Sequence, residues 1–357
     1  MEEMTLEECR RQLDELDELL VQLLSDRARV SLQVAKAKRA MGSVPTFVPE
    51  RERQVFNHVH QVNEGPLPNE ALDAIWREIL SSSRALQRTL RVAYAESASG
   101  FAQVAAKRYF GAAPEYVTCR TTELVFAETD RGAADYGIVP VEHSLEGVVG
   151  DTIDHFVDSE LKIRAEVALE NAYHLFSLGE LDQVRRIYAA VETVRQVRGW
   201  LDEHLPAVEI YDVPTSVRAA ERASGDPESA AICPDLIASD HGLQIVAPSI
   251  QDSTADVTRF LIIGREIGGR SGADKTALIF SVRDRVGALH DALGIFRRNS
   301  LNLTRIESRP SRRRAWDYLF FVELGGHPDD DNVATALKEL SYQTAYVKVL
   351  GAWPRES

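Results

Sequence analysis

Cations set at helical intervals are the first chemistry in this sequence. Arg10, Arg27 and Lys38 lie in one stretch, Thr5 to Met41, that contains neither Gly nor Pro. Arg27 and Lys38 are eleven positions apart. On a helix that puts them about 20° apart around the axis and roughly 16 Å apart along it. Arg10 lies about 25 Å from Arg27 by the same rise. One small anionic ligand cannot touch all three on a single straight helix. Two antiparallel copies of the helix could bring Arg10 of one to Arg27 and Lys38 of the other. The alternative is that all three are solvated charges on an ordinary bundle helix, the common state of Lys and Arg.

The element that must carry them reads as one long helix. Leu6, Leu13, Leu16, Leu20, Leu23 and Leu24 recur at steps that draw an apolar stripe. Thr5 followed by Glu8 is a capping-box pattern, and Gly42 stands just past the end. Such a helix would be roughly 55 Å long, too long to pack on one small core, so it calls for a partner helix. A second helix is expected from near Pro49 through RERQVFNHVHQV, and a third from Glu70 to Leu90. These make an all-α module over residues 1–90.

Beyond Leu90 the pattern alternates. RVAYA, EYVTC, YGIVPV, KIRAEVAL, AYHLFSL, RRIYAA, VEIYDV, AAIC, LQIVA and TRFLIIG read as strands, with FAQVAAKRYF, VETVRQVRGWLDEH and TSVRAAERA as helices between them. That predicts an α/β domain over residues 91–266, large enough for two lobes and a cleft. REIGGRSGAD is a linker. Residues 274–354 then read strand, helix, strand, strand, helix, strand, the ferredoxin-like βαββαβ order of an α+β domain.

The chain has 357 residues, 44% of them apolar, and a formal net charge of −14. Two or three domains follow from the length, and the acidic balance disfavours nucleic acid or an anionic membrane as partner. Cys9, Cys119 and Cys233 are odd in number and far apart, which gives no disulfide framework or thiolate zinc site and suits a reducing cytoplasm. No apolar run is long enough to span a bilayer.

Three resemblances follow from particular motifs. Residues 5–90 are similar to the all-helical chorismate mutases, on Arg10 before LDELD, LLSDR with Arg27, AKAK with Lys38, PERE with Arg51 and Glu52, and IWREILSSSRALQ with Ser83 and Gln87. The resemblance implies an interlocked homodimer in which Arg10 reaches the other subunit's site. Arg10, Arg27 and Arg51 would clamp the carboxylates of chorismate. Lys38 and Gln87 would donate to its ether oxygen, and Glu52, helped by Ser83, would take its ring hydroxyl. Val48 stands where that family often has an Asp.

Residues 91–266 resemble the prephenate dehydratase catalytic domain, on Val92, on Ile138 to Asp154 and on Ile250 to Gly264. Thr258, Arg259 and Phe260 match that family's Thr-Arg-Phe motif. The resemblance makes Thr258 the catalytic hydroxyl, with Arg259 and Phe260 lining the substrate cleft. Several family positions differ. A Gly-Pro-Glu-Gly-Thr-Phe loop reads Glu96 to Phe101, with Gly100 in place of Thr. Glu-Asn-Ser reads Glu142, His143, Ser144; a Ser-His-Pro-Gln-Ala run reads Ala189 to Thr193, with Glu192 inside it; and Asp256 replaces an Asn. Glu192 and Asp256 would add negative charge against a dianionic substrate. His143 is expected at the substrate and could serve as a replacement acid.

The C-terminal region resembles the ACT domains that close prephenate dehydratases, on GALHDALGIF, NLTRIESRP and YLFFVELGGH. It implies an L-phenylalanine effector site made by Gly287, Ala288, Leu289, Asn302, Leu303, Thr304, Glu307, Ser308, Arg309 and Pro310. Val286 and His290 depart from that family's usual residues, and the basic run Arg312 to Arg314 reads as a solvated loop. The leading expectation is a cytoplasmic, dimeric chorismate mutase fused to a dehydratase-type domain and an ACT domain, in phenylalanine biosynthesis, with no cofactor and no metal. The alternatives are a non-catalytic middle domain that transmits ACT occupancy to the mutase, or altered chemistry on prephenate.

Overall fold

The computed structural model describes residues 4–42, 47–97, 99–283, 285–310 and 318–355. Ala98 and the basic run Arg312 to Arg314 lie outside them. The described chain divides into two compact units, one comprising residues up to Leu90 with Phe110–Glu115, the other Arg91–Tyr109 with the chain from Tyr116 onward.

The first unit is built on α1 (Leu6–Ala40), α2 (Pro49–Val62) and α3 (Asn69–Gln87). Thr5 caps α1 in a complete capping box with Glu8. Of all α1 side chains only Ala35 is buried, so among the described residues of one chain nothing covers the apolar stripe. Leu13, for instance, is 60% exposed. The helix α3 ends at Gln87, short of the expected Leu90, because Arg88 turns to extended backbone. Phe47 and Phe110, both fully buried, pack with ring centroids 5.2 Å apart.

The second unit runs β1 (Arg91–Ala95), α4 (Phe101–Phe110), β2 (Glu115–Cys119), α5 (Thr122–Asp130), β3 (Tyr136–His143), β4 (Gly147–Val148), α6 (Gly150–Asp158) and β5 (Lys162–Glu170) as a first lobe. A second lobe follows with β6 (His174–Ser177), β7 (Arg186–Ala189), α7 (Val191–Gln196), α8 (Arg198–His204), β8 (Glu209–Asp212), α9 (Ser216–Ala223), β9 (Ser229–Cys233), α10 (Asp235–Asp240) and β10 (Gln244–Ala247). The chain returns to the first lobe as β11 (Val257–Gly264). All ten expected strands form. VETVRQVRGWLDEH, expected as one helix, breaks into α7 and α8 at Val197 (φ −128°, ψ 11°).

The ACT-like part is β12 (Asp274–Ser281), α11 (Ala288–Arg298), β13 (Leu303–Pro310), β14 (Tyr318–Gly325), α12 (Asp331–Gln343) and β15 (Tyr346–Pro354), in the expected βαββαβ order. Its four strands do not form a separate sheet. The strand order β13-β14-β12-β15-β5-β11-β3-β1-β2 runs unbroken into the first lobe, while β10-β6-β9-β7-β8 form the second lobe's sheet. The join is the parallel pair Gly351–Ile163. A Cβ at Gly351 would lie 2.2 Å from the Ile163 carbonyl oxygen, so only glycine lets these backbones meet. Strand alternation splits the packing. Leu278 and Phe280 of β12 face Ile295, Phe296, Val333 and Leu340 of α11 and α12. Ala277 and Ile279 pack into a core shared with Ile153, Phe156, Leu161 and Ile163 of the first lobe.

Candidate functional site

In the helical unit, side chains from three helices converge on Glu52. Arg27 of α1 donates from Nη1 to Ser83 Oγ at 2.6 Å, and that hydroxyl donates to the Ile79 carbonyl of α3 at 2.7 Å. Burial pushes the Glu52 carboxyl above its ordinary pKa, against the pull of Arg84, Arg27 and Arg77. Burial also lowers Arg27 and Lys38, each partly offset by the charge of Glu52. Glu52 is therefore electrostatically coupled to both α1 cations that the helical spacing placed on one face.

Arg84 went unnoticed in the sequence. It is buried, pairs with Glu52, donates to the Phe110 carbonyl at 2.6 Å, and stacks over Phe47 at 5.0 Å. The signal for it was slight: one Arg beside Ser83 on the inward face of α3. Gln87, the last residue of α3, is half-buried, and its backbone carbonyl accepts from Arg39 at 3.4 Å. Arg51 is exposed and donates to Gln54 at 3.0 Å. Arg10 is exposed on α1, 17 residues from Arg27, or about 25 Å by helix rise. One chain does not bring Arg10 to the others.

In the second unit, the chain passes between lobes twice, after β5 and before β11, and the polar cluster forms where the two crossings meet. The Asn171 backbone N–H donates to the Asp256 carbonyl at 2.8 Å. The Asn171 side-chain amide donates to Asp256 Oδ1 at 2.6 Å and to Thr258 Oγ1 at 2.8 Å. His143 Nε2 lies 3.0 Å from Asp256 Oδ1. Thr258 pairs with His143 across β11 and β3, so their side chains share a face. Ser144 Oγ donates to the Ala255 carbonyl at 2.6 Å and accepts from the Val257 backbone at 2.9 Å, fixing the approach to β11. Tyr173, packed edge-on against Phe101, has its phenol pushed up by burial and by the charges of Asp256 and Glu146.

Sequence reasoning did not single out Asn171, 85 positions from Asp256. A polar residue closing the apolar run KIRAEVALEN was its only trace. Asp256 is at the site, as a carboxylate bound by Asn171 and His143 rather than as a bare charge. Glu192 is exposed in the first turn of α7.

An interlobe cleft of about 250 Å³ is lined by Tyr94, Glu96, Ser97, Gly100, Ile237 and Asp240, among others. Gly100 has φ +77°, and a Cβ there would lie 2.4 Å from Ile237 of the second lobe. The left-handed φ accounts for glycine here, since Ile237 Cδ1 is the movable end of its side chain.

Neighbours on a strand face opposite sides, and Arg259 points away from Thr258. Its Nη1 donates to Glu166 at 2.8 Å, both Nη atoms grip Glu323 of β14 at 2.6–2.8 Å, and its Nε lies 3.3 Å from Glu142. Burial alone would lower its pKa, but these carboxylates, Glu323 first, raise it above the ordinary value. Lys275 joins Glu166 and Glu323, and Arg305 of β13 bonds Glu142 at 2.6 Å. Arg259 thus links the Thr258 strand to the ACT-like strands. Phe260, on the Thr258 face, is buried.

The expected effector residues divide in the same way. Thr304, Ser308 and Pro310 are exposed along β13, while Leu303, Glu307 and Arg309 alternate to its half-buried side. Arg309 bonds Asp154 of α6 at 2.9 Å, so it does not share a face with Ser308. Gly287, Ala288 and Leu289 form the turn and first residues of α11, and Asn302 immediately precedes β13.

Comparison with known proteins defines the class. A chorismate mutase type II model matches residues 9–88, a prephenate dehydratase model residues 92–267 and an ACT domain model residues 276–341. Two catalytic segments and an ACT domain thus follow one another in a single polypeptide. The bifunctional chorismate mutase/prephenate dehydratase of Aquifex aeolicus is 39% identical over 355 residues, 98% of each chain. The chain belongs to the bifunctional chorismate mutase/prephenate dehydratase family of phenylalanine biosynthesis. It carries an isomerase and a lyase. Among solved structures, prephenate dehydratase from Arthrobacter aurescens in complex with L-Phe is 32% identical, with a TM-score of 0.67, and the match covers 74% of this chain and 90% of that one. A protein described as a novel type of quorum quenching acylase, GqqA, matches with the same TM-score at 26% identity over 74% of this chain and 98% of its own. This fold is shared by proteins described with different chemistries, so residue roles must be argued from the site.

Proposed function

We propose that this chain runs both reactions through the residues placed above, as a cytoplasmic homodimer that senses phenylalanine. In the mutase, Arg27 and Arg51, with Arg10 supplied by the partner, hold the carboxylates of chorismate in the reactive conformer. Lys38 and Gln87 donate to the ether oxygen, where negative charge builds as the bond breaks. Glu52 takes the ring hydroxyl beside Ser83, and Arg84 keeps Glu52 in place. The rearrangement is a single pericyclic step, so the site's work is positioning and charge stabilisation. The uncovered leucine stripe of α1 supports the dimer, because a second antiparallel α1 would cover it and carry Arg10 across.

In the dehydratase, prephenate loses its ring carboxylate as carbon dioxide and its ring hydroxyl as hydroxide, which becomes water by taking a proton from solvent. The electrons of the broken C–C bond enter the ring and leave with the C–O bond. Thr258 is the hydrogen-bond donor to the departing oxygen. The observation that carries this reading is the 2.8 Å bond from Asn171 to Thr258 Oγ1. It occupies the hydroxyl's oxygen, leaves its proton to give, and makes that proton a stronger donor.

The effector is L-phenylalanine, held at the α11 turn and the exposed face of β13. The L-Phe complex of the Arthrobacter aurescens dehydratase supports that choice. On this reading Arg309 holds β13 against Asp154 and has no direct part in binding the ligand. A cytoplasmic site suits three cysteines that are all free thiols.

The test is a product assay. Chorismate is supplied to the purified chain at neutral pH, without acid treatment, and prephenate and phenylpyruvate are followed separately. Both products should appear, and Thr258→Ala should stop only the second. Accumulation of prephenate alone by the parent chain would overturn the dehydratase assignment of these residues.

A further inference from the structure

Two side chains that look, in the sequence, like independent damage to the dehydratase cleft are in contact. His143 Nδ1 accepts the backbone N–H of Leu145 at 3.3 Å and of Glu146 at 3.4 Å. An acceptor at Nδ1 carries no proton, so the ring's proton is on Nε2. Nε2 lies 3.0 Å from Asp256 Oδ1 and 3.2 Å from Asn171 Nδ2; of these two only the carboxylate oxygen accepts, so the proton is donated to Asp256. A ring held this way has no proton to offer the cleft, which removes the replacement-acid role considered for His143.

Asp256 is 3% exposed, and a carboxylate buried that far needs donors. Its Oδ1 has His143 Nε2 and Asn171 Nδ2, while its Oδ2 has no hydrogen-bond partner among the described residues. The carboxylate also settles which way the Asn171 amide points. Its two N–H groups go to Asp256 Oδ1 and Thr258 Oγ1. The reversed amide would set its carbonyl oxygen against the Asp256 charge and would no longer donate to Thr258.

We propose that His143 and Asp256 act as one positioning unit that locks the Asn171 amide toward Thr258, so that the Thr258 proton is directed to the departing hydroxyl of prephenate. The proposal rests on the reading of Thr258 given above. Neither His143 nor Asp256 is a catalytic residue in this scheme. The imidazole contributes a single N–H at a fixed place, and the carboxylate contributes orientation. A residue able to put an N–H at the Nε2 position should replace His143, and one that cannot should not.

The full-length chain is assayed with prephenate as substrate, and thermal unfolding is recorded for every variant to verify folding. Losing a hydrogen bond to a charged group corresponds to about tenfold to a hundredfold in rate. His143→Leu and Asp256→Leu should each lose kcat by about that factor, with KM for prephenate changing much less. The double variant should lose no more than the worse single, as expected of residues that act together. His143→Gln, whose amide nitrogen reaches about as far as Nε2, should recover most of the loss. His143→Asn, one methylene shorter, should not.

Two results would overturn the proposal: His143→Gln as inactive as His143→Leu, which would mean that the imidazole itself moves a proton, or losses that multiply in the double variant. If either single unfolds, the contrast of Gln with Asn at position 143 still decides. Thr258→Ala separates the two levels of the argument. Phenylpyruvate formation unaffected by Thr258→Ala rejects the underlying reading, whereas its loss there together with an inactive His143→Gln rejects this proposal alone.

Discussion

Replacing Glu323 by Gln should loosen the second unit by an amount that the ionic cluster around Arg259 lets one work out. Glu323 is 1% exposed and accepts from Arg259 through both oxygens and from Lys275 at 3.1 Å. The cluster holds three cations, Arg259, Lys275 and Arg305, against three carboxylates, Glu142, Glu166 and Glu323. The substitution leaves it one positive charge in excess. Stranding a buried charge costs about 3–5 kcal/mol. Glu166 stays within 2.8–2.9 Å of both cations, which argues for the lower end, about 3 kcal/mol. In a unit of this size that is roughly 6–12 °C in Tm.

Scanning calorimetry at neutral pH measures the loss. Glu323→Gln combined with Lys275→Met restores charge balance and should recover part of it. The pH dependence has a definite sign. Burial would raise the Glu323 pKa, but Arg259 and then Lys275 outweigh it and hold the group below its ordinary value. A carboxyl depressed in the folded state stabilises above its unfolded pKa, about 4.3, and that contribution is lost as pH falls through the folded value. The Tm gap between parent and Glu323→Gln should therefore be full at neutral pH and close in acid. A gap under about 2 °C at neutral pH, or one that widens on acidification, would refute the cluster as a stabilising link.

Two further outcomes follow from geometry. Leu13→Glu with Leu20→Glu on α1 places charge in the uncovered stripe; sedimentation should show monomers, with mutase turnover lost and dehydratase turnover on supplied prephenate kept. Gly351→Ala forces a Cβ onto the Ile163 backbone and should cost about 1–3 kcal/mol or more, read as a fall in Tm of the second unit with the helical unit's transition unmoved.

The order of elements was legible because periodicity is local. Helix spacing put Arg27 and Lys38 on one face, and alternation found every strand of the two sheets except the two-residue β4. A motif read as a contiguous string hides alternation. Thr258-Arg259-Phe260 and Ser308-Arg309-Pro310 each lie on a strand, so the middle residue faces the other way from its neighbours. Asn171 and Arg84 escaped notice for another reason. Each acquires its role from partners brought near by folding, Asp256 and Thr258 in one case, Glu52 and Phe110 in the other. The short helices α5, α6 and α10 were also not singled out.

The glycine join between β15 and β5 bears on how the protein stays soluble. Strand β5 is bordered by β11 on one side, and Ile163, Ala165, Val167 and Leu169 along it are buried. Where Gly351 meets Ile163, the ACT-like sheet occupies the other side. A chain cut before Asp274 would uncover an apolar strand border of the kind that recruits strands from other molecules. It would also remove the cations that neutralise Glu142 and Glu166 from outside the lobe. The ACT domain thus also covers that border, and trimming it away should yield an aggregating protein, read as turbidity or light scattering of the shortened chain.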